Sequence, residues 1–297
     1  MLLGVELKAL IYEVAEGVAL VTLNRPDRMN AWTARMEAEY HWALGTADAD
    51  ADVRVIVVTG AGRGFCPGAD MGALDQIIAA GDYDVALGAD AAAGSHDAPM
   101  PPPAGNPDWA HIFSRTLGID KPVIAAVNGA AAGVGFVLMA FCDIRFAAAG
   151  AKFTTSFARL GLPAEHGVSW ILSRIVGTGR AAELLYSSRV FTAEDAATMG
   201  LVNKVLPPEE LLPFALDYAR TMAAELAPVS LRMMKRQLVA DLSRSLDASA
   251  TEAERVMRVA VTEPAFAEGV AAFQAKRAPM FEGVTAGPPL APARGLP

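Results

Sequence analysis

The stretch KPVIAAVNGAAAGVGFVLMAFCD, residues 121–143, decides the fold. Its first part, residues 122–127, is a short apolar run with β-branched residues, which is typical of a buried strand. Gly133 and Gly135 follow in a glycine-rich turn, and the apolar run at 136–141 suits a buried helix. The stretch therefore predicts a strand, a glycine-rich turn and the N-terminus of a helix.

This predicted helix start indicates a site for negative charge. A helix N-terminus presents unpaired backbone N–H groups and the positive end of the helix dipole. Glycines allow another molecule to approach the backbone closely. We therefore expect the turn to hold an anion or a negative charge that develops during a reaction.

The composition indicates a globular protein with a sizeable core. The chain has 297 residues, of which 53% are hydrophobic and 20% are charged. This length suits one large domain, or a core with a smaller unit. The formal net charge of −8 argues against a nucleic-acid partner, and an anionic ligand would need a local basic patch.

The two cysteines and the lengths of the apolar runs indicate where in the cell the protein is expected. Cys66 and Cys142 lack the spacing of a metal site, so we expect no bound metal and a reducing, cytoplasmic location. The first residues carry Glu6 and Glu13 and lack the basic start of a signal peptide. No apolar run approaches the roughly 18 residues of a membrane span, so we expect no membrane partner.

A second strand–turn–helix unit precedes the first. The β-branched run at 53–59 leads into GAGRGFCPGADMG at 60–72, and a helix is expected from Met71. Two such units imply a βαβ architecture with a mostly parallel sheet. Before them, residues 10–14 and 18–23 are predicted to form a hairpin.

The rest of the chain suggests a core followed by helices. We expect a core at 1–206, a mobile loop insertion at 81–108 that is rich in Gly, Ala, Pro and Asp, and a helix at 109–117. A strand is expected at 201–205. Residues 207–297 are predicted to form a helical region with a disordered tail.

Six segments, in order along almost the whole chain, resemble one known family. They are LNRPDRMNAW (23–32), VIVVTGAGRGFCPGAD (55–70), KPVIAAVNGAAAGVGFVLMAFCDIRFAA (121–148), KFTTSFARLGL (152–162), AAELLYSSRVFTAEDAATMGLVNKVLP (181–207) and EGVAAFQAKRAPMFEG (268–283). In these segments the sequence resembles the crotonase family, the enoyl-CoA hydratase/isomerase superfamily. The loop at 81–108 has no clear counterpart.

The resemblance implies an α/β fold, a crotonase-like spiral of repeated ββα units with a C-terminal helical trimerisation region. It also implies a homotrimer, or a hexamer made of two trimers. The implied substrate is an acyl-CoA thioester. No tightly bound cofactor is implied, and coenzyme A enters as part of the substrate.

The family's shared chemistry is an enolate of the thioester, held by two backbone N–H groups. Matched by motif, these groups belong to Ala69, in PGAD, and Val134, in AGVG. Each such donor contributes about 3–4 kcal/mol to stabilisation of the transition state in other enzymes. Independently of the resemblance, the glycine-rich turn before residue 136 predicts that the backbone N–H of Val134 holds negative charge.

The family's CoA contacts carry over to five positions, Arg28, Met29, Gly68, Phe273 and Lys276. The last two match residues that reach the CoA of a neighbouring subunit or close the site. Arg28 and Lys276 would supply the positive charge that CoA needs in an acidic protein. The alternative, that both are solvated surface charges, stays open.

The sequence departs from the hydratases of the family at both of their glutamates. Those positions hold Val137 and Phe157, neither of which acts as an acid or a base. The remaining carboxylate is Glu165, in LGLPAEHGVSW, which aligns with the acidic residue that Δ3,Δ2-enoyl-CoA isomerases use alone. Glu165 is alternatively a loop residue or a helix cap.

The resemblance and Glu165 together favour double-bond isomerisation, from 3-enoyl-CoA to 2-enoyl-CoA. The carboxyl would carry a proton from C2 to C4, and an apolar pocket would raise its pKa. Phe136, Leu160 and Trp170 are candidates for that pocket, with the two apolar residues that replace the glutamates. Alternatives are hydrolysis of a thioester or a C–C bond, and acyl-CoA binding without turnover. Classical hydration is disfavoured.

Three further residues, His166, Asp70 and Cys66, are weaker candidates for a catalytic role. His166 would orient Glu165 or titrate near neutrality, although adjacent side chains usually point apart. Asp70 is expected at a helix N-terminus rather than as a base. Cys66 is a weak candidate nucleophile.

Overall fold

The structure is a computed structural model that describes residues 6–81 and 111–285. It opens with a hairpin of β1 (Leu10–Ala15) and β2 (Val18–Leu23), joined by Glu16 and Gly17. Both turn residues have positive φ, 52° and 77°, which gives the tight two-residue turn that suits the twist of paired strands. The predicted hairpin is therefore present.

The remaining elements alternate short strands with helices. The strands are β3 (Val55–Gly60), β4 (Gly64–Cys66), β5 (Val123–Val127), β6 (Ala130–Ala132), β7 (Ile144–Ala148), β8 (Lys152–Thr154), β9 (Phe191–Thr192) and β10 (Lys204–Leu206). The α-helices are α1 (Ala34–Ala49), α2 (Met71–Ala80), α3 (Arg115–Gly118), α4 (Val134–Ala140), α5 (Val168–Val176), α6 (Thr178–Ser187), α7 (Ala193–Thr198), α8 (Pro208–Glu225), α9 (Pro228–Asp241), α10 (Leu246–Ala260) and α11 (Pro264–Ala275). Short 3₁₀ helices lie at Pro26–Arg28 and Phe157–Leu160.

The strands form two sheets. The larger sheet has the order β1-β2-β3-β5-β7-β10 and is parallel except for the first hairpin. The smaller sheet has the order β4-β6-β8-β9 and is parallel except for its last pair. From β3 to β8, consecutive strands alternate between the two sheets, and helices follow the pairs β3–β4 and β5–β6. These are the repeated ββα units that the resemblance implies.

The core lies around the larger sheet. Strands β3 and β5 are buried almost throughout, as their continuous apolar runs predict. Helix α8 covers this sheet with a stripe of buried apolar residues at four-residue spacing, and these belong to the same core: Leu211, Ala215, Ala219 and Ala223. The first helix of the predicted C-terminal region thus packs directly on the sheet.

Helix α9 is joined to the core by charged side chains. Lys235 donates to the Asp143 carboxylate at 2.7 Å and to the carbonyl of Lys121 at 3.0 Å. Arg236 forms a bidentate pair with Asp120, with both N–O distances 2.6 Å. A separate small apolar cluster joins α9 and α10. The division of the chain at residue 206 stays a prediction.

Several boundaries differ from the expectations. The helix expected at 109–117 is only α3 within the described residues, and residues 109 and 110 lie outside them. The strand expected at 201–205 begins only at Lys204, because Leu201 and Val202 instead donate to the carbonyl of Ala196 at the end of α7. The mobile loop predicted at 81–108 and the predicted disordered tail lie outside the described residues, except for Gly81 and for the segment up to residue 285.

The strands β4 and β6 were not predicted, because each has three residues and lies within a glycine-rich stretch. Their pairing brings the backbone of α4 against β4. A Cβ atom placed on Gly135 would lie 2.0 Å from the carbonyl oxygen of Cys66, which is closer than any side chain tolerates. Glycine at 135 is therefore required by close packing of two backbones.

Replacing Gly135 with Ala should lower the free energy of unfolding by about 1–3 kcal/mol or more, because the added methyl meets backbone rather than a flexible side chain. Gly179→Ala is the matched control. Gly179 lies in helix α6 with open space around it, so alanine there should be neutral or slightly stabilising. Thermal unfolding of both variants checks the prediction, and equal stability of the two would contradict it.

Both cysteines lie in the core, and burial raises the pKa of each thiol to about 12. They therefore stay protonated near neutral pH, and a thiol is a poor nucleophile. We expect a thiol reagent at pH 8 to leave the native protein unmodified and to label two thiols after denaturation. Rapid labelling of Cys66 in the native protein would contradict this and would restore it as a candidate nucleophile.

Candidate active site

Two glycine turns lie back to back at the centre of the candidate site. Gly133 has φ 49° and ψ −119°, a conformation that glycine adopts readily, and Gly68 has φ 119°. A Cβ atom on Gly133 would be 3.8 Å from the Cα of Gly68, and one on Gly68 would be 3.4 Å from the carbonyl oxygen of Ala132. The residues that follow the two glycines, Ala69 and Val134, are therefore brought side by side.

The amide of Ala69 is aimed by a short parallel pairing with Trp32. Trp32 donates to the carbonyl of Gly68 at 2.8 Å and accepts from the amide of Asp70 at 2.9 Å. In such a pairing the residue in between directs its own N–H to the opposite side. No acceptor among residues 6–81 and 111–285 takes a hydrogen bond from this N–H group.

The amide of Val134 is the first of helix α4. The first N–H groups of a helix have no partner within the helix, and they lie at the positive end of its dipole. The side chain of Val134 is buried, so the amide and not the side chain is available. Two neighbouring amides can thus donate to one negatively charged oxygen.

The buried side chain of Asn30 fixes the first turn beside this site. Its oxygen accepts from the amide of Arg25 at 2.9 Å. Its nitrogen donates to the carbonyls of Ala61 and Gly64 at 2.9 and 2.8 Å. Asn30 also has φ 65°, and the sequence analysis did not single it out. The sequence feature that could have identified this position is asparagine itself, because its short amide side chain tolerates the left-handed backbone region.

The predicted CoA contacts at this turn lie near the two amides. Met29, with φ 51°, packs over Gly64 of β4, whose added Cβ would meet the Met29 side chain at 3.1 Å. Arg28 is exposed. Burial acts to raise the pKa of Asp70, but hydrogen bonds from Arg25 and the amide of Gly72, with the charges of Arg25 and Arg28, hold this pKa below its ordinary value. Asp70 caps α2 by accepting from the amide of Gly72 at 3.0 Å, as expected for a helix N-terminal residue.

Phe273 and Lys276 lie on the surface of the single chain. Phe273 lies on α11 with 86% of its surface exposed, and Lys276 is the exposed residue that ends this helix. In the part of the chain that the structure describes, no hydrogen bond, ion pair or ring contact joins them to Ala69 or Val134.

Glu165 precedes helix α5 and is half-buried. Burial raises the pKa of its carboxyl above the ordinary value of 4.5. It does not cap the helix, because the N-cap is Gly167 and no side chain bonds there. The backbone carbonyl of Glu165 accepts from the amide of Val168 at 2.9 Å.

Two contacts join the segment of Glu165 to the elements that carry the two amides. The ring of His166 packs edge-on against Phe113, with centroids 5.3 Å apart, and Phe113 packs against Trp32 at 5.3 Å. A Cβ on Gly167 would be 3.6 Å from the ring of Phe141, at the end of helix α4. The segment therefore lies between the residue that pairs with Ala69 and the helix that Val134 begins.

His166 is a half-buried residue with φ 50°, and burial lowers the pKa of its imidazole. Its ring packs on Phe113, whose part in the site was not predicted because its partners His166 and Trp32 are distant in sequence. Of the residues expected to form an apolar pocket, Phe136 is buried against Phe191, whereas Leu160 and Trp170 are exposed.

The two positions that the resemblance matches to the glutamates of the hydratases are apolar and buried. Val137 has no exposed surface and Phe157 is 3% exposed, and both belong to the main core. Neither side chain exchanges a proton. Any proton transfer at this site therefore falls to another residue.

Glu37 is a second carboxylate that the sequence analysis missed. It is half-buried in the first turn of α1, where acidic residues ordinarily serve the helix dipole. Burial raises the pKa of its carboxyl, while a hydrogen bond with Trp32 and the charge of Arg115 act in the opposite direction. Its partner Trp32 is the residue that pairs with Ala69.

The histidines of the described ranges offer no metal site. His41 is buried, with Nε2 2.8 Å from the carbonyl oxygen of Ile112, and burial lowers its pKa to about 4. Across residues 6–81 and 111–285, no group of three or more His, Cys, Asp or Glu is placed to hold a metal ion. The same search range contains no helix that is both long and apolar enough to cross a membrane.

Comparison with known sequences matches this chain to one family over most of its length. Residues 13–284 match the family model described as enoyl-CoA hydratase/isomerase. A protein of Escherichia coli K12 named 1,2-epoxyphenylacetyl-CoA isomerase is 32% identical over 282 residues, 92% of this chain and 98% of that protein. A probable enoyl-CoA hydratase of Rhodobacter capsulatus is 36% identical over 275 residues, 92% of this chain and 97% of that protein.

Solved structures show the same fold. A probable enoyl-CoA hydratase/isomerase from Mycobacterium abscessus superposes with a TM-score of 0.79 at 31% identity, covering 93% of this chain and 99% of that one. The spiral of ββα units is thus the crotonase fold, as the resemblance implied. With the family model and these relatives, the chain belongs to the enoyl-CoA hydratase/isomerase family, the crotonases, and is an enzyme that acts on acyl-CoA.

Proposed function

We propose that this enzyme is an isomerase that converts a 3-enoyl-CoA to a 2-enoyl-CoA, with Glu165 as the one proton carrier. The observation that carries the proposal is the contrast between three positions. Val137 and Phe157 are buried apolar residues, whereas Glu165 is a half-buried carboxyl with a raised pKa, in a segment that packs through His166 on Phe113 and lies close to Phe141 at Gly167. A reaction that needs one carboxyl fits this set better than addition of water between two.

In the proposed reaction the thioester oxygen accepts from the amides of Ala69 and Val134. The Glu165 carboxylate takes a proton from C2, and the electron pair of that C–H bond passes into the thioester to give a dienolate. The dienolate then takes the same proton back at C4, and the double bond moves from C3–C4 to C2–C3. A carboxyl with a raised pKa suits both steps, since it must accept and return a proton.

The CoA part of the substrate is proposed to lie along Arg28, Met29 and Gly68. Because Phe273 and Lys276 are exposed in the single chain, we propose that they serve the site of a second copy in a homotrimer or a hexamer. Three large apolar side chains on the C-terminal helices are exposed in the single chain and support such an assembly: Leu238, Leu246 and Met257. No tightly bound cofactor is part of the proposal.

The names of the relatives include both chemistries of the family. The Escherichia coli protein is named an isomerase of a ring-bearing acyl-CoA, and the Rhodobacter capsulatus protein a probable hydratase. The isomerase name supports the proposal, and the hydratase names define the main competing outcome.

The test offers trans-3-hexenoyl-CoA and crotonyl-CoA in parallel and follows the absorbance of the conjugated enoyl thioester. We expect conjugation to appear from the first substrate, and Glu165→Gln to reduce the rate by about 10²–10⁴-fold. Because burial raises the pKa of Glu165, the fall of kcat/KM on the acid side should lie above pH 4.5. The base must be deprotonated, so activity is present above that pKa and lost below it.

Glu37→Gln is the matched control, since Glu37 is also half-buried with a raised pKa. A large loss in Glu37→Gln but not in Glu165→Gln would transfer the base to Glu37. Loss of conjugation from crotonyl-CoA would show a hydratase. Release of free CoA thiol would show a thioester hydrolase, and tight binding without turnover in any assay would show an acyl-CoA binder.

A further inference from the structure

We infer that Arg25 is a positioning residue for the oxyanion site, which it serves by pairing with Asp70 beside the Ala69 amide. The inference rests on the proposed function in one respect: it takes the Ala69 and Val134 amides as the donors to the thioester oxygen. Arg25 stands in the segment LNRPDRMNAW, and the resemblance assigned it no role.

Arg25 bridges the two chain segments that pair at the site. One guanidinium nitrogen donates to the carbonyl of Ala31 at 2.5 Å, and the other donates to the Asp70 carboxylate at 2.9 Å. Ala31 precedes Trp32, and Asp70 follows Ala69. The guanidinium therefore spans the pairing of Trp32 with Ala69 from one strand segment to the other.

Asp70 is held at three points. Its amide donates to the carbonyl of Trp32, one carboxylate oxygen accepts from Arg25, and the other accepts from the amide of Gly72 at the start of α2. Ala69 lies between Asp70 and Gly68, and both of these neighbours are bonded to Trp32. The direction of the Ala69 N–H is thus fixed by bonds on either side of it.

The pair also sets the local charge. Asp70 is the residue next to Ala69, so an unpaired carboxylate there would oppose a negative charge that forms on the thioester oxygen. The side chains of Arg25 and Asp70 are only 24% and 23% exposed, so solvent screens this carboxylate incompletely. The guanidinium of Arg25, 2.9 Å from the Asp70 carboxylate, compensates the negative charge of that carboxylate.

A residue that only stabilised the fold would act differently from one that sets this charge. In Arg25→Gln the Asp70 carboxylate is left without its partner. In the double variant Arg25→Gln/Asp70→Asn the uncompensated charge is gone, and asparagine still caps helix α2 as well as aspartate does. Recovery of function in the double variant is therefore specific for the positioning role.

The first readout is the carbonyl stretch of bound butyryl-CoA, measured by difference infrared spectroscopy with a ¹³C-labelled thioester carbonyl. In the wild-type enzyme, donation by two amides should lower this frequency relative to the free ligand. We expect Arg25→Gln to lose much of the shift and the double variant to regain part of it. This readout needs no catalysis and no Glu165.

The second readout is turnover of the substrate identified above. A misplacement on the order of 1 Å at a reacting group costs about 100-fold in rate. We expect Arg25→Gln to lower kcat by about 10–100-fold with a smaller change in KM, and the double variant to recover at least part of kcat. Arg189→Gln is the matched control, because it removes the guanidinium of an exposed pair with Glu183 far along the chain, and it should change neither readout.

A full carbonyl shift and full kcat in Arg25→Gln would overturn the inference and leave the proposed function intact. Equal losses in the single and the double variant would also overturn it, because they would show a structural role alone. A carbonyl shift in the wild type without isomerase activity would remove the proposed isomerisation and leave the inference standing. A bound ligand with no shift in the wild type would overturn both.

Discussion

The close contact of backbones around the two glycine turns is the constraint on which the site depends. At Gly135 any Cβ atom would overlap with the carbonyl oxygen of Cys66. Gly133 lies over Gly68 with no side chain between them. These contacts bring a strand of one ββα unit against the helix start of the next. Two amides are consequently placed together by parts of the chain that are more than sixty residues apart.

Side chains then complete what the backbone begins. The pairing of Trp32 with Ala69 aims one amide, and the start of helix α4 aims the other. Asn30 and Arg25 hold the first turn to this pairing through hydrogen bonds to the backbone. Because the donors are backbone groups, the identity of the residue at 69 or 134 matters less than the geometry around it.

The sequence was informative where a pattern repeats or a motif is local. Strands β3 and β5 were predicted by their continuous apolar runs, and the N-terminus of α4 by its glycines. Strands β4 and β6 were not, because a three-residue strand of small residues has no periodicity to detect. The second sheet, which is built from them, is therefore a product of tertiary pairing.

The same reason explains which site residues were missed. Arg25 and Trp32 act through partners that are distant in sequence, Asp70 and Ala69, and no local spacing marks them. Glu165 was found only by its motif, and the structure adds that it is half-buried and does not cap its helix. Phe273 and Lys276 match their motif, although contacts within one chain leave them on the surface.

The central claim is that the two amides and Glu165 together form an enolate at C2 of an acyl-CoA. The most direct measurement is exchange of the C2 protons of butyryl-CoA with D₂O, followed by proton NMR, because it needs neither a double bond nor a completed reaction. We expect the wild-type enzyme to exchange these C2 protons, and Glu165→Gln to lower the exchange rate by about 10²-fold or more. Exchange that is unchanged in Glu165→Gln, or that is absent from a wild-type enzyme saturated with butyryl-CoA, would contradict the central claim.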